Sequence, residues 1–124
     1  MLPKNIKENN FKRQRIRIKD FNYTGYYAYF VTICTFDKQR YFVDGDLINN
    51  IINYMKEESE YIGFKIYAYC FMPDHLHLIL ISDEGASLVK CIKSFKQKTE
   101  FYFKKKYGKQ LWQKSYFDHV IRRN

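Results

Sequence analysis

The chain has 124 residues, of which 46% are hydrophobic and 19% aromatic, and its 22 basic and 13 acidic residues give a net charge of +9. This length suffices for one domain with one hydrophobic core and leaves no room for a second. The apolar content excludes wholesale disorder, and no apolar run approaches the roughly 18 residues of a membrane span. Three widely spaced cysteines predict reduced thiols in a cytoplasmic protein.

The excess of basic residues lies at the two ends of the chain. Residues 1–20 carry seven basic and two acidic side chains, and residues 85–124 carry eleven basic and two acidic side chains. Residues 21–84 instead have a net charge of −5. This asymmetry is typical of proteins that bind polyanions, and it favours nucleic acid over a membrane surface. We divide the chain into a basic N-terminal arm over 1–20 and a folded domain over 21–124.

The first half of the domain is predicted to contain a strand and a helix. β-Branched and aromatic residues predict a strand over 26–35, and residues 41–43 are a candidate for a short return strand. Asp46 is the predicted N-cap of a helix whose apolar residues follow helical spacing. Gly63 is predicted to end that helix.

The second half is predicted to contain a hairpin, a helix and a final strand. Pro73 and Asp74 separate two apolar strands, over 64–72 and 75–82, which form an antiparallel hairpin. Ser87 is predicted to cap a helix that runs to about residue 106, and a last strand covers 112–121. The order β-α-β-β-α-β predicts an α+β, ferredoxin-like domain, with a four-stranded antiparallel sheet and two helices on one face. The other face is expected to be open.

His75 and His77 are candidate metal ligands. Residues i and i+2 of a strand project from the same face, so the two imidazoles point into one volume while Leu76 and Leu78 face the core. A divalent metal there could polarise a phosphoryl oxygen. A third ligand must come from elsewhere in the fold. The alternative is a pair of surface histidines without a metal.

Three segments in order carry a resemblance to a known family. They are residues 30–35 with the preceding arm over 13–17, residues 71–79 around the histidines, and residues 111–122. The chain resembles the single-tyrosine transposases of the HUH endonuclease superfamily, and among them the REP-associated tyrosine transposases. The resemblance implies a DNA transposase-type endonuclease and strand transferase, which cleaves single-stranded, hairpin-associated DNA through a phosphotyrosine intermediate. It also implies Mg²⁺ or Mn²⁺ on His75 and His77, and a homodimer.

The nucleophile is harder to assign to a residue of this chain than the metal ligands are. The resemblance places it on a helix after the last strand, in a pattern such as Tyr-Ile-x-x-Asn-Pro, which this sequence lacks. We therefore expect that the chain is a fragment ending at Asn124 before that helix, with a shortened relative that cannot cut DNA unaided as the alternative. In either case we expect it to bind DNA with little or no cleavage. Tyr116 is the candidate nucleophile within the chain, with packing or DNA contact as its alternative role. Asp74 is a candidate for orienting a histidine, and His119 for a third imidazole near the site.

Basic residues near both ends are the predicted DNA contacts. They are Arg13, Arg15, Arg17, Lys90, Lys93, Lys96, Lys104, Lys105 and Lys106. Candidate stacking residues on the open sheet face are Tyr27, Tyr29, Tyr67 and Tyr69. Two other functions stay open: a non-catalytic nucleic-acid-binding module of ferredoxin-like fold, and a small metal-binding protein or metallohydrolase that acts without nucleic acid.

Overall fold

A computed structural model describes residues 27–82 and 85–123. Its elements are strands β1 (Tyr27–Cys34), β2 (Phe64–Met72), β3 (His75–Ser82) and β4 (Phe117–Arg123), helices α1 (Gly45–Ile62) and α2 (Leu88–Tyr107), and a 3-10 turn over Phe36–Lys38. The predicted arm over 1–20, with Arg13, Arg15 and Arg17, lies outside the described residues. Neither α1 nor α2 has the length and apolar character that would let it cross a membrane.

The strands form one antiparallel sheet in the order β2-β3-β1-β4. Both helices pack on the same face of this sheet, so the domain is α+β and ferredoxin-like, as predicted. The strand that carries the histidine pair, β3, lies between β2 and β1. Both neighbours therefore contribute side chains around the histidines.

Alternation along β3 separates the core from the histidine pair. Leu76, Leu78 and Leu80 are at most 1% exposed and belong to the hydrophobic core beneath the helices. His75 and His77, which alternate with these leucines, must project from the opposite face, because successive strand side chains point in opposite directions. The predicted division of these side chains between two faces is confirmed.

The second face of the sheet is not open along its whole length. Strand pairing places Ala28, Phe30, Ile79 and Ile81 on the same face as the histidines. All four are buried, and Phe30 is only 3% exposed. The prediction of an open face is therefore wrong for this part of the sheet.

Three of the four predicted stacking tyrosines lie on the helix-covered face, since Tyr27 shares the face of Tyr29 along β1 and is paired with Ser82. Tyr29 is paired with Leu80, and Tyr69 with Leu78, and directly opposed residues share a face. The rings of Tyr29 and Tyr69 pack against the hydrophobic core. The prediction that they stack with bases on an open face is wrong, because the strand register turns them inward.

Helix α1 begins two residues earlier than predicted. Asp44, not Asp46, is the N-cap, and its side chain accepts hydrogen bonds from the backbone N–H groups of Asp46 and Leu47. Gly63 ends the helix in the left-handed conformation, with φ of 91°, as predicted. The return strand predicted over 41–43 is a turn, and its Phe42 N–H donates to the Pro73 carbonyl instead of to a strand.

The last strand begins at Phe117, later than predicted. The carboxylate of Glu100 on α2 accepts hydrogen bonds from the backbone N–H groups of Leu111 and Trp112. These bonds hold the segment against the helix, so that Trp112 makes an isolated bridge to Thr35 instead of beginning β4. Tyr116, which was predicted to lie within the strand, therefore immediately precedes it.

A buried carboxylate joins the two helices. Glu58 of α1 is 3% exposed and accepts hydrogen bonds from the Ser94 hydroxyl and the Lys98 ammonium of α2. Burial by itself would raise the pKa of Glu58. The hydrogen bonds from Lys98 and Ser94, together with the Lys98 charge, outweigh burial, so the pKa of Glu58 is lowered. The ionised carboxylate therefore stabilises the fold.

Glu58→Gln is expected to lower the free energy of unfolding at neutral pH by about 1–3 kcal/mol, because charge-assisted hydrogen bonds are lost. In the wild type this stabilisation is present above the unfolded-state pKa and disappears as the pH falls through the lower folded-state value. The variant should therefore lose less stability on acidification. Urea denaturation at a series of pH values measures this, with Glu57→Gln, an exposed neighbour, as control. Parallel pH profiles for Glu58→Gln and the wild type would contradict the assignment.

Candidate active site

His75 and His77 lie side by side on the sheet face away from the helices. Their Nε2 atoms are 3.1 Å apart, and their ring planes are nearly perpendicular, at 81°. Both residues are half-buried. The predicted convergence of the two imidazoles is confirmed, and their role as metal ligands stays a prediction.

The second ring nitrogen of each histidine contacts a neighbouring side chain. His75 Nδ1–H donates to Asp74 Oδ1 at 2.6 Å. His77 Nδ1 lies 3.0 Å from Thr32 Oγ1, and the Phe30 ring stacks on the His77 ring with centroids 5.3 Å apart. Such contacts hold imidazole ligands in a fixed orientation. Asp74 therefore contacts a ring nitrogen of His75, and its role in orienting a metal ligand stays a prediction.

Asp74 is held in its ionised form. The hydrogen bond from His75 lowers the pKa of Asp74 against the opposing effect of burial, and the charges of His75 and Lys38 lower it further. An ionised carboxylate only accepts hydrogen bonds, so Nδ1 of His75 must carry the proton. In neutral His75 the Nε2 atom is therefore left with a lone pair that a metal can share.

The histidine pair has the geometry of two adjacent ligands of one ion. Ligand atoms about 2.1 Å from a shared metal and at a right angle to each other lie about 3.0 Å apart. The observed 3.1 Å between the Nε2 atoms fits this arrangement, as it also fits a hydrogen bond between the two rings. Among residues 27–82 and 85–123, no group of three or more His, Cys, Asp or Glu side chains is placed to hold an ion. The pair therefore fits part of a site whose other positions water or a substrate oxygen could take.

A cavity of about 600 Å³ opens beside His75. The walls come from β1 and the turn after it, from the start of β3 and the turn before it, and from the start of β4 and the residue before it. The described lining residues are Phe30, Thr32, Cys34, Lys38, Asp74, His75, Tyr116, Phe117, Asp118 and His119. The fold thus brings four predicted site residues, Asp74, His75, Tyr116 and His119, to one cavity.

Tyr116 lines the cavity and also packs against the hydrophobic core. Burial raises the pKa of Tyr116, and the nearby Asp118 and Cys91 raise it further. A raised pKa disfavours the phenolate, so a nucleophilic Tyr116 would need a proton acceptor. His119 is paired with Phe30 and lies on the histidine face, but it completes no metal cluster within the described part of the chain.

The predicted DNA-binding lysines of α2 are not placed beside the histidines. Because α2 covers the opposite face of the sheet, its exposed residues line a separate surface. These exposed lysines are Lys90, Lys93, Lys104, Lys105 and Lys106. Lys96 is half-buried instead, and its ammonium donates to the backbone carbonyls of Gln113 and Lys114 at 2.8 and 2.9 Å. This contact supports the segment before β4.

Sequence reasoning missed two threonines that build the site. Thr32 contacts His77, and a polar residue within the apolar first strand, paired with the histidine strand, could have indicated it. Thr35 is fully buried, and its N–H donates to the Asp74 carbonyl at 3.0 Å. The Thr35 hydroxyl lies within hydrogen-bonding distance of the carbonyls of both Gln39 and Asp74. No local sequence signal marks the contact of Thr35 with Asp74, because these two residues are distant in the chain.

Residues 22–122 match the family model described as "Transposase IS200 like". The match spans most of the chain and includes every residue of the cavity described above. The chain belongs to the IS200-like transposase family.

Two proteins of Haemophilus influenzae are similar in sequence to this transposase-family chain. A candidate REP-associated tyrosine transposase is 30% identical over 117 residues, which cover 84% of this chain and 64% of the relative. An uncharacterised protein is 27% identical over 144 residues, which cover 89% of this chain and 79% of the relative. The chain thus spans less than two thirds of the length of the REP-associated relative.

Two solved structures share the fold. A candidate transposase from Deinococcus radiodurans has a TM-score of 0.68 and 19% identity, with 83% of this chain and 85% of that protein covered. A REP-associated tyrosine transposase bound to a REP hairpin has a TM-score of 0.64 and 18% identity, with 88% and 64% covered. At these identities the likeness establishes the common fold.

Proposed function

We propose that this IS200-like transposase binds single-stranded, hairpin-associated DNA and belongs to an enzyme that cleaves and rejoins it through a phosphotyrosine intermediate. The observation that carries the proposal is the histidine pair, with both Nε2 atoms directed to one volume beside a cavity. The hairpin in the structurally similar REP-associated protein supports the choice of DNA substrate.

His75 and His77 would hold Mg²⁺ or Mn²⁺. When bound, the ion would offset negative charge on the phosphate of the reacting linkage. Asp74 keeps the proton on Nδ1 of His75, and Thr32 orients His77 from the neighbouring strand. These contacts hold the two imidazoles in place, and so reduce the side-chain reorganisation that metal binding would otherwise require.

The proposed reaction exchanges one phosphate ester for another. A tyrosine oxygen forms a bond to phosphorus as the bond to the 3′ oxygen breaks, and the phenol gives up its proton while the leaving strand gains one as a 3′-OH. Because the number of ester bonds is unchanged, attack by another 3′-OH can reverse the step without a nucleotide cofactor. Tyr116 is the candidate among the described cavity residues, and the resemblance favours a tyrosine on a helix after the last strand.

The exposed lysines of α2 give the second part of the proposal. Lys104, Lys105 and Lys106 follow one another in the last turn of α2 and are all exposed. Their position across the sheet from the histidines suits the binding of DNA outside the cleavage cavity. We therefore assign them contacts to the phosphate backbone, which add affinity without sequence specificity.

The chain is expected to bind a single-stranded hairpin oligonucleotide with an affinity that falls as salt is raised. Replacing all three lysines of the last turn with glutamine should weaken binding and reduce the log–log salt slope by about 2, because each lost contact to single-stranded DNA removes about 0.7. Fluorescence anisotropy measures both quantities, with the exposed Lys56→Gln of α1 as control. Failure of the wild-type chain to bind, or a slope unchanged in the triple variant, would contradict this assignment.

A non-catalytic nucleic-acid-binding module is the second candidate. It is favoured by the position of Tyr116, which packs against the hydrophobic core, where burial raises the pKa of its hydroxyl. Incubating the chain with Mn²⁺ and an end-labelled hairpin oligonucleotide tests whether Tyr116 is a nucleophile, and so distinguishes cleavage through Tyr116 from binding alone. A covalent protein–DNA adduct that Tyr116→Phe abolishes would establish this nucleophile, whereas binding without an adduct would exclude Tyr116 under these conditions.

A further inference from the structure

We propose that Lys38 binds a backbone phosphate of the DNA strand that enters the cavity beside His75, and so positions that strand for reaction. This inference rests on the proposed DNA substrate and adds a residue to the proposed site. Lys38 follows β1 directly, in the 3-10 turn over Phe36–Lys38, and was not among the residues predicted to bind DNA.

The charges around the cavity support this role. Lys38 lines the same cavity as His75, together with the carboxylates of Asp74 and Asp118. Among the described lining residues, Lys38 is the one with a permanent positive charge. A phosphate that enters would be repelled by the two carboxylates, and a lysine ammonium is a common phosphate ligand that can compensate for them.

The backbone of the turn is held in a conformation that its residues do not favour. Asp37 and Lys38 have φ values of 53° and 52°, in the left-handed region where a side chain is disfavoured. The conformation persists because the Lys38 N–H donates to the Thr35 carbonyl at 3.2 Å, and the Gln39 N–H donates to the Phe36 carbonyl at 3.1 Å. A lysine held at a positive φ carries backbone strain, and such strained residues cluster at ligand-binding sites.

The same turn is joined to the histidine strand. The buried Thr35 donates its backbone N–H to the Asp74 carbonyl, and Asp74 in turn accepts from His75. Lys38 and His75, which both line the cavity, are therefore connected through a short series of hydrogen bonds. A phosphate contact at Lys38 would have a defined position relative to the histidine pair.

Lys38→Met is expected to weaken binding of a single-stranded hairpin oligonucleotide about tenfold, because a charge-assisted hydrogen bond is lost. The salt slope should fall by about 0.7, as for one phosphate contact. Lys38→Arg should retain most of the affinity, because arginine can also bind the phosphate. Lys56→Met, which removes an exposed lysine of α1, serves as the matched control and should bind like the wild type.

A scan of the oligonucleotide identifies the phosphate. Neutral methylphosphonate linkages are introduced one at a time, and each is measured with the wild type and with Lys38→Met. One linkage should weaken binding to the wild type but cause no further loss with Lys38→Met. Equal losses in both proteins at every linkage would overturn the proposed contact, even where Lys38→Met binds more weakly overall.

Lys38→Gly distinguishes an effect on DNA binding from an effect on folding. Glycine accepts a positive φ without strain, so this variant should melt a few degrees higher than the wild type while its DNA affinity falls as in Lys38→Met. Wild-type affinity in Lys38→Gly and Lys38→Met would overturn the inference and leave the proposed function standing. If the wild-type chain does not bind single-stranded DNA, both the proposed function and the Lys38 contact are wrong.

Discussion

Replacing His75 and His77 together with alanine is expected to abolish saturable Mn²⁺ binding, with a loss of affinity of at least about 100-fold. The reason is that both Nε2 atoms, 3.1 Å apart, are removed. Within the described residues no cluster of three or more ligating side chains is available to bind the ion in their place. Titration of the protein with Mn²⁺, followed by electron paramagnetic resonance of the free ion, measures the affinity directly.

The matched control removes acidic surface residues that could bind Mn²⁺ weakly. Glu57→Gln/Glu60→Gln on the exposed surface of α1 should leave the saturable affinity unchanged. Asp74→Asn should lower the Mn²⁺ affinity by about tenfold, an intermediate loss. The reason is that the hydrogen bond between residue 74 and His75 Nδ1 is weakened while both imidazoles remain. Retention of wild-type affinity by the double histidine variant, with its fold intact by circular dichroism, would exclude this pair as the metal site.

Among the variants proposed, Leu78→Ala is expected to lower the free energy of unfolding most, by about 2–5 kcal/mol. Leu78 directly follows His77 of the candidate site, but it faces the core. Leu78 is 1% exposed and packs in the core beneath the helices, so truncation leaves a cavity there. Urea denaturation measures the change in the free energy of unfolding. The folded fraction should still bind Mn²⁺, because the histidine side chains project from the other face of the strand.

His77→Ala provides the complementary measurement at the next position. It should strongly reduce Mn²⁺ affinity and cost much less stability than Leu78→Ala, since His77 lies outside the core beneath the helices. A loss of less than about 1 kcal/mol in Leu78→Ala would be typical of a surface position and would contradict the assigned packing. Together the two variants test whether alternation along β3 separates stability from metal binding.

Local features of the sequence predicted the order of the elements correctly. Gly63 and Ser87 mark helix ends through conformational and hydrogen-bonding preferences that act within a few residues. Pro73 interrupts the apolar run and separates β2 from β3. These signals require no knowledge of distant contacts, and the predicted ferredoxin-like order follows from them.

The element boundaries that were predicted wrongly depend on contacts between distant segments. Asp44 and Asp46 are both good N-cap residues, but the second carboxylate oxygen of Asp44 also accepts a hydrogen bond from the Tyr107 hydroxyl of α2. Trp112 is an aromatic residue of the kind that favours strands, but Glu100 holds its backbone against α2. Neither choice can be made from residue type or spacing alone.

The sequence by itself determined the pair of histidines on one face, because the two-residue period of a strand is a local property. It also identified the family, through three segments that, apart from the arm over 13–17, lie within the matched range of residues 22–122. Only the tertiary structure decided what surrounds the pair. Thr32, Lys38 and Tyr116 reach one cavity through strand pairing and through loops that are far apart in the chain. Such proximity is set by long-range packing, which residue order does not express.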